Sequence, residues 1–233
     1  MLIKIYFFNF IFYFSILFFG IFCTPVLVSR YYTRLVVRYW AKTVLFLLKN
    51  ILNIKIHFHN KYLVDNKGQI IAANHQSAFD TIFFLAAFDK TIYIIKKELI
   101  FIPVYGWYAM RLGNVFINRR KKIESTKKLS KNIYSFINKG YKVVIFPEGT
   151  RQQSNLIGNI KPGVYLLQNI LKIPIFPVYI CSGNTWPKNS LKMKKKNIFI
   201  KSLKPIPYGL TKKKFKLNLK KILEESIKKN DFS

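Results

Sequence analysis

The chain has 233 residues, enough for one domain with an attachment or two small ones, and enough to bury a sizeable core. Lysine and arginine outnumber aspartate and glutamate 40 to 9, a net charge of +31, which calls for an anionic partner: nucleic acid, an anionic bilayer or a phosphorylated substrate. Two cysteines, Cys23 and Cys181, argue against a disulfide framework, and no Cys/His cluster has the spacing of a metal site.

Ile5 through Ser29 carries no charged residue. As a helix it would span about 37 Å, against a hydrocarbon core of about 30 Å. The positive leader is thin and no small-x-small cleavage site follows, which argues against a cleaved signal peptide. Pro25 should end or kink the helix. Residues 1–50 are therefore expected to anchor the chain in a membrane, as a single pass or as a hairpin dipping into one leaflet. Arg30, Arg34, Arg38 and Lys42 follow at a spacing of four, a basic stripe on a helix otherwise covered by residues such as Leu35, Trp40 and Leu47. Two placements are open. The stripe can lie on lipid phosphates with Trp40 at the interface, or the helix can pack on the domain. Its position puts the remainder of the chain on the cytoplasmic side.

From residue 51 short β-rich runs alternate with helical stretches. Strands are predicted at Ile54–His59, Gln69–Ala73, Thr91–Ile95, Asn114–Ile117, Lys142–Phe146, Ile175–Ile180 and Asn197–Lys201. Helices are predicted near Ala78–Phe88, Pro103–Leu112, Glu124–Asn138, Gly163–Leu171 and Lys212–Lys228, with Gly140 closing the third. The expected fold class is α/β: a single layered domain over 51–233, with a largely parallel mixed sheet flanked by helices, preceded by the membrane-associated segment. His57 and His59 share one strand face without a third ligand, and read as a solvated face. Lys194–Lys196, Lys212–Lys214 and the lysine face of the last helix are either solvated or docked on anionic lipid. Most aromatics fall in the N-terminal segment or in core strands, which sets nucleic-acid binding aside.

The chemistry-bearing residues sit at strand exits. Asn74-His75-Gln76-Ser77-Ala78-Phe79-Asp80 leaves a predicted strand and enters a helix. His75 and Asp80 can form a general base with its orienting acid. Equally, Ser77 and Asp80 can form a capping box that only satisfies helix N–H groups. Arg119 follows the strand ending at Ile117, and Phe146-Pro147-Glu148-Gly149-Thr150-Arg151 turns out of the next. Arg151 offers a planar fork, and Gly149 lets the main chain approach a ligand. Ile173-Pro174-Ile175-Phe176-Pro177-Val178 is a fourth stretch.

In order and spacing these four stretches resemble the blocks of the glycerolipid acyltransferase family, in particular its bacterial 1-acylglycerol-3-phosphate (lysophosphatidic acid) branch. The resemblance runs from about Asn74 to Val178, and takes in Lys96-Lys97-Glu98-Leu99, Lys161-Pro162-Gly163 and Ser182-Gly183 with Trp186-Pro187. It implies acyl transfer from acyl-CoA or acyl-carrier protein to the free hydroxyl of lysophosphatidic acid, giving phosphatidic acid, with no other cofactor and no acyl-enzyme. Glycerol-3-phosphate or a lyso-aminolipid is the alternative acceptor. His75 would be the general base and Asp80 its orienting partner. Arg119 and Arg151 would hold the phosphate, Lys96 would be a further contact, and Glu148, Gly149 and Thr150 would line the substrate pocket. One departure is Asn118, where the family often carries aspartate. The implied setting is the cytoplasmic face of a bacterial inner membrane, against an anionic lipid surface.

Overall fold

Runs such as Ile70-Ile71-Ala72-Ala73 and Val143-Val144-Ile145 carry apolar groups on both faces of a strand, the pattern of a parallel sheet covered on both sides. They form the centre of a seven-stranded sheet in the computed structural model, which describes residues 1–117, 124–188 and 190–228. The strands are β1 (Ile56–His59), β2 (Gln69–Ala73), β3 (Thr91–Lys96), β4 (Val115–Ile117), β5 (Lys142–Ile145), β6 (Ile175–Ile180) and β7 (Ile198–Ser202), ordered β1-β7-β6-β2-β5-β3-β4. All neighbouring pairs are parallel except β6 with β7. The expected mixed, largely parallel sheet is what the chain forms.

Helices cover both faces. On one side α1 (Leu2–Phe22), α2 (Arg30–Leu52), α3 (Phe79–Ala87) and α4 (Tyr105–Leu112) lie over Ile71, Ala73, Val144 and Val178. On the other α5 (Glu124–Asn138), α6 (Gly163–Leu171) and α7 (Lys212–Lys228) lie over Ile70, Ala72, Val143 and Ile175. Alternate residues of one strand thus serve opposite cores. Two element starts fall two residues later than predicted, for local reasons. Asn53 takes a left-handed conformation (φ 53°) that ends α2, and the Ile54 N–H bonds back to Leu48 O, so β1 begins at Ile56. Pro103 and Val104 make a tight turn closed by Tyr105 N–H to Pro103 O at 2.6 Å, so α4 begins at Tyr105.

The N-terminal segment is long and apolar enough to cross a membrane, yet one flank of it belongs to the protein. A 3₁₀ turn over Thr24–Val28, with Pro25 in its first turn, folds α2 back along α1. Trp40 donates its indole N–H to Ser15 Oγ at 3.0 Å. Phe8 and Phe12 meet the buried Trp186 edge-on at 5.4 and 5.1 Å, while Phe7, Phe10, Phe14, Phe18 and Phe22 face outward.

The lipid-facing placement of the basic stripe is corrected. Arg38 pairs with Asp89 at 3.0 Å and Arg34 lies 3.7 Å from the same carboxylate. Arg30 donates to Arg111 O at 3.2 Å and covers the Phe136 ring. These arginines find their partners within the fold because α2 packs on α3 and α4; of the four stripe residues, Arg30 and Lys42 stay exposed.

Trp186 joins the helical hairpin to the sheet, so Trp186→Ala is expected to cost about 3–5 kcal/mol. Denaturant unfolding in detergent, with the m-value as control, checks this. A loss below about 1 kcal/mol would mean that the hairpin does not depend on this contact.

Candidate active site

The carboxyl ends of β2, β3, β4 and β5 point the same way, so whatever follows them gathers along one edge of the sheet. His75 follows β2, Lys96 ends β3, and Phe146–Arg151 follows β5. Asn74 is buried and locks this edge to β6. Its amide donates to Ile180 O (2.9 Å) and accepts from Ile180 N–H (2.7 Å).

Asp80 is fully buried in the first turn of α3. Its Oδ2 accepts the N–H groups of Gln76 (2.7 Å) and Ser77 (2.8 Å) and lies 2.8 Å from His75 Nδ1. Ser77 Oγ accepts the Phe79 N–H at 3.1 Å. The capping box and the dyad therefore coexist, because the carboxylate that caps the helix also receives the imidazole. Against an ionised carboxylate, which only accepts, a neutral His75 would carry its proton on Nδ1 and present the Nε2 lone pair. The ring lies parallel to Phe146 at 4.1 Å and 17°, and Tyr93 stacks beneath Phe146. The side chain of His75 is 14% exposed, so it is held in place while remaining accessible.

The peptide groups at His75 are gripped by the second block. Its N–H donates to Glu148 Oε2 at 2.8 Å, and its carbonyl accepts the Gln152 N–H at 2.7 Å. That bond brings the main chain next to Arg151 up against His75. The turn from Phe146 to Gly149 closes with an N–H to carbonyl bond of 3.0 Å and holds Gly149 at φ 76°, a conformation that suits glycine. Thr150 is exposed. Burial raises the Tyr105 phenol pKa, and the Arg151 guanidinium opposes that rise. Lys96 lies at the same edge, exposed and 3.3 Å from Glu98. Arg119 and Asn118 lie outside the described residues.

Glu148 has another setting than the sequence suggested. It is 2% exposed, and both oxygens are taken by backbone, Oε2 by His75 N–H and Oε1 by Gly158 N–H at 2.8 Å. It braces the loop that carries His75. Burial pushes its pKa up to about 7, the Asp80 charge adds to this, and the two N–H donors oppose it. Its folded pKa thus lies above the ordinary 4.5, and the folded chain binds this proton more tightly than the unfolded chain. Stability from this group is full below about 4.5 and is lost as pH rises to about 7, by about 3 kcal/mol in all. Glu148→Gln should abolish that component. Unfolding midpoints of wild type and variant from pH 4 to 8 check it, and a difference that stays constant with pH would contradict it.

The sequence missed two further contributors. Ser182 Oγ donates to Asp80 Oδ1, and Gln76 Oε1 accepts the Gly183 N–H at 3.1 Å. The Ser182-Gly183 pair was visible in the sequence, but not what it would meet. Among the described residues no group of three or more His, Cys, Asp or Glu side chains could hold a metal ion.

A histidine held against a buried carboxylate, with the Phe146–Arg151 turn at the same carboxyl edge of a parallel sheet, is the placement in which α/β enzymes carry their chemistry. The Acyltransferase family model matches residues 55–181, more than half the chain, and the chain belongs to that family. It is 29% identical over 167 residues to the 1-acyl-sn-glycerol-3-phosphate acyltransferase of Pseudomonas aeruginosa, covering 72% of this chain and 65% of that protein. It is 27% identical over 186 residues to the Saccharomyces cerevisiae enzyme of the same name, covering 77% of this chain and 61% of that one. The chain thus spans less than two thirds of these relatives' length. The crystal structure of the LPA acyltransferase PlsC from Thermotoga maritima superposes with a TM-score of 0.80 at 18% identity. The match covers 100% of this chain and 99% of that one, and it shows a shared fold.

Proposed function

We propose that the chain transfers a fatty acyl group from the thioester of acyl-CoA or acyl-carrier protein to the free hydroxyl of a 1-acylglycerol-3-phosphate, yielding phosphatidic acid. The observation that carries this reading is the His75–Asp80 contact of 2.8 Å, with the strand-exit turn that bears Arg151 tied to the His75 carbonyl through Gln152 N–H. His75 Nε2 takes the hydroxyl proton while the oxygen attacks the thioester carbonyl. The negatively charged Asp80 steadies the imidazolium, which then returns its proton to the leaving thiolate. No residue is acylated on this route, and the acyl thioester is the sole co-substrate.

Arg151 holds the phosphate through a bidentate contact, for which a guanidinium suits a dianion better than an ammonium. Arg119 and Lys96 are assigned to the same phosphate, Lys96 leaving Glu98 as substrate arrives. Gly149 and Thr150 border the glycerol. Residues 51–233 form the catalytic domain, and residues 1–50 fasten it to the cytoplasmic face of a bacterial inner membrane. The outward phenylalanines of α1 enter one leaflet as part of a hairpin, and the lysine clusters rest on anionic lipid. Nucleic acid has no place in this reading.

Purified protein in mixed vesicles, given labelled acyl-CoA or acyl-carrier protein with each acceptor in turn, tests it. Labelled phosphatidic acid from lysophosphatidic acid supports the proposal. Product from glycerol-3-phosphate or a lyso-aminolipid instead would move the acceptor assignment, and no product with any acceptor would end the acyl-transfer reading.

A further inference from the structure

Asp80 receives four donors. Three of them, the N–H groups of Gln76 and Ser77 and the His75 ring, fall on Oδ2. The fourth, Ser182 Oγ, is the one donor on Oδ1 among the described residues, and it comes from 102 positions further along the chain. Ser182 is fully buried. A serine that only had to satisfy its own hydroxyl could bond to a local carbonyl, as Ser15 does to Phe12 O. Ser182 instead spans from the exit of β6 to the helix that follows β2.

Its placement is over-determined. The Ser182 carbonyl accepts the N–H groups of Thr185 (3.0 Å) and Trp186 (2.8 Å), forming a turn whose far end is the buried Trp186. On either side of Ser182, Ile180 is bound to Asn74 and Gly183 to Gln76. The segment 180–183 is therefore tied to the segment 74–80 at three points, and the hydroxyl is the middle one.

We propose that Ser182 is a positioning residue for the His75–Asp80 dyad, its hydroxyl setting the plane of the Asp80 carboxylate and drawing negative charge toward Oδ1. Carboxylate torsions are broad, so donors gathered on one oxygen leave the plane loosely defined. A donor on the second oxygen fixes the plane and keeps Oδ2 aimed at Nδ1. It also leaves less charge on Oδ2, the oxygen that faces the imidazole. This inference rests on the general-base reading of His75.

The test uses the full chain in detergent or nanodiscs with Ser182→Ala, which removes only the hydroxyl, and Ser182→Cys, a weaker donor of similar shape. The His75 imidazole is titrated by NMR, its signal assigned against His75→Ala. Expected for Ser182→Ala is a midpoint raised by about half a pH unit or more, with the acid limb of the rate profile moving the same way. Turnover should fall about 10–100-fold with the acceptor KM nearly unchanged, and Ser182→Cys should fall between alanine and wild type. An unmoved midpoint and rate, or a lowered unfolding temperature without a moved midpoint, would overturn the proposal. Should the wild type acylate no acceptor, the activity reading fails by itself, and the NMR titration still decides the role of Ser182.

Discussion

Replacement of His75 by alanine is expected to lower acyl transfer by about 10²–10⁴ while leaving the fold intact. The imidazole is the one group of the dyad that reaches solvent, and its removal leaves Asp80 with its two backbone donors and Ser182. The loss should appear in kcat more than in KM, because the variant leaves the proposed Arg151–phosphate contact in place. With the base absent, the fall of rate toward acid should flatten as well. Initial rates over a pH series, with circular dichroism as a control on folding, measure both. Undiminished acylation by the variant would remove the mechanism as written.

A comparable effect is expected for Asp80→Asn, and it isolates the charge. The amide oxygen can take the Oδ2 position, accepting from Gln76, Ser77 and the His75 ring. Its NH₂ then faces Ser182 Oγ, a hydroxyl able to accept. The geometry survives and the negative charge beside the imidazolium does not. The same change in the serine-protease triad lowers kcat by about 10⁴, and a loss of about 10²–10⁴ is expected here. Asp80→Ala would be harder to interpret, since it strands buried donors at about 1–3 kcal/mol each. Rates for the asparagine variant at a matched unfolding temperature decide the matter. Activity within threefold of wild type would mean that Asp80 serves only to cap α3.

Much of the scaffold could be read directly from the chain. Runs such as Ile70–Ala73 and Val143–Ile145 are apolar on both faces and bounded by turns, and each predicted strand from Ile54 to Lys201 has its counterpart in the sheet. The five helices predicted beyond residue 51 are present as well, the largest displacement of a start being at the Pro103–Val104 turn before α4. His75 and Asp80 were legible as a pair because their partners lie within one turn of chain. The roles of Glu148 and Ser182 were not, for their bonds cross 73 and 102 positions. The placement of the α2 arginines stayed open in the sequence for a similar reason. A spacing of four marks one helix face, but Asp89, 51 positions beyond Arg38, decides what that face meets.

By itself the sequence determined the α/β alternation, the apolar N-terminal segment and the local dyad, since these follow from periodicity and short-range hydrogen bonding. The tertiary structure alone decided that β6 lies between β7 and β2, which carries Ser182 to Asp80 and, through Trp186, seats α1 on the domain. Sheet order is set by which apolar faces pack best together, a property of the whole core that no local stretch encodes.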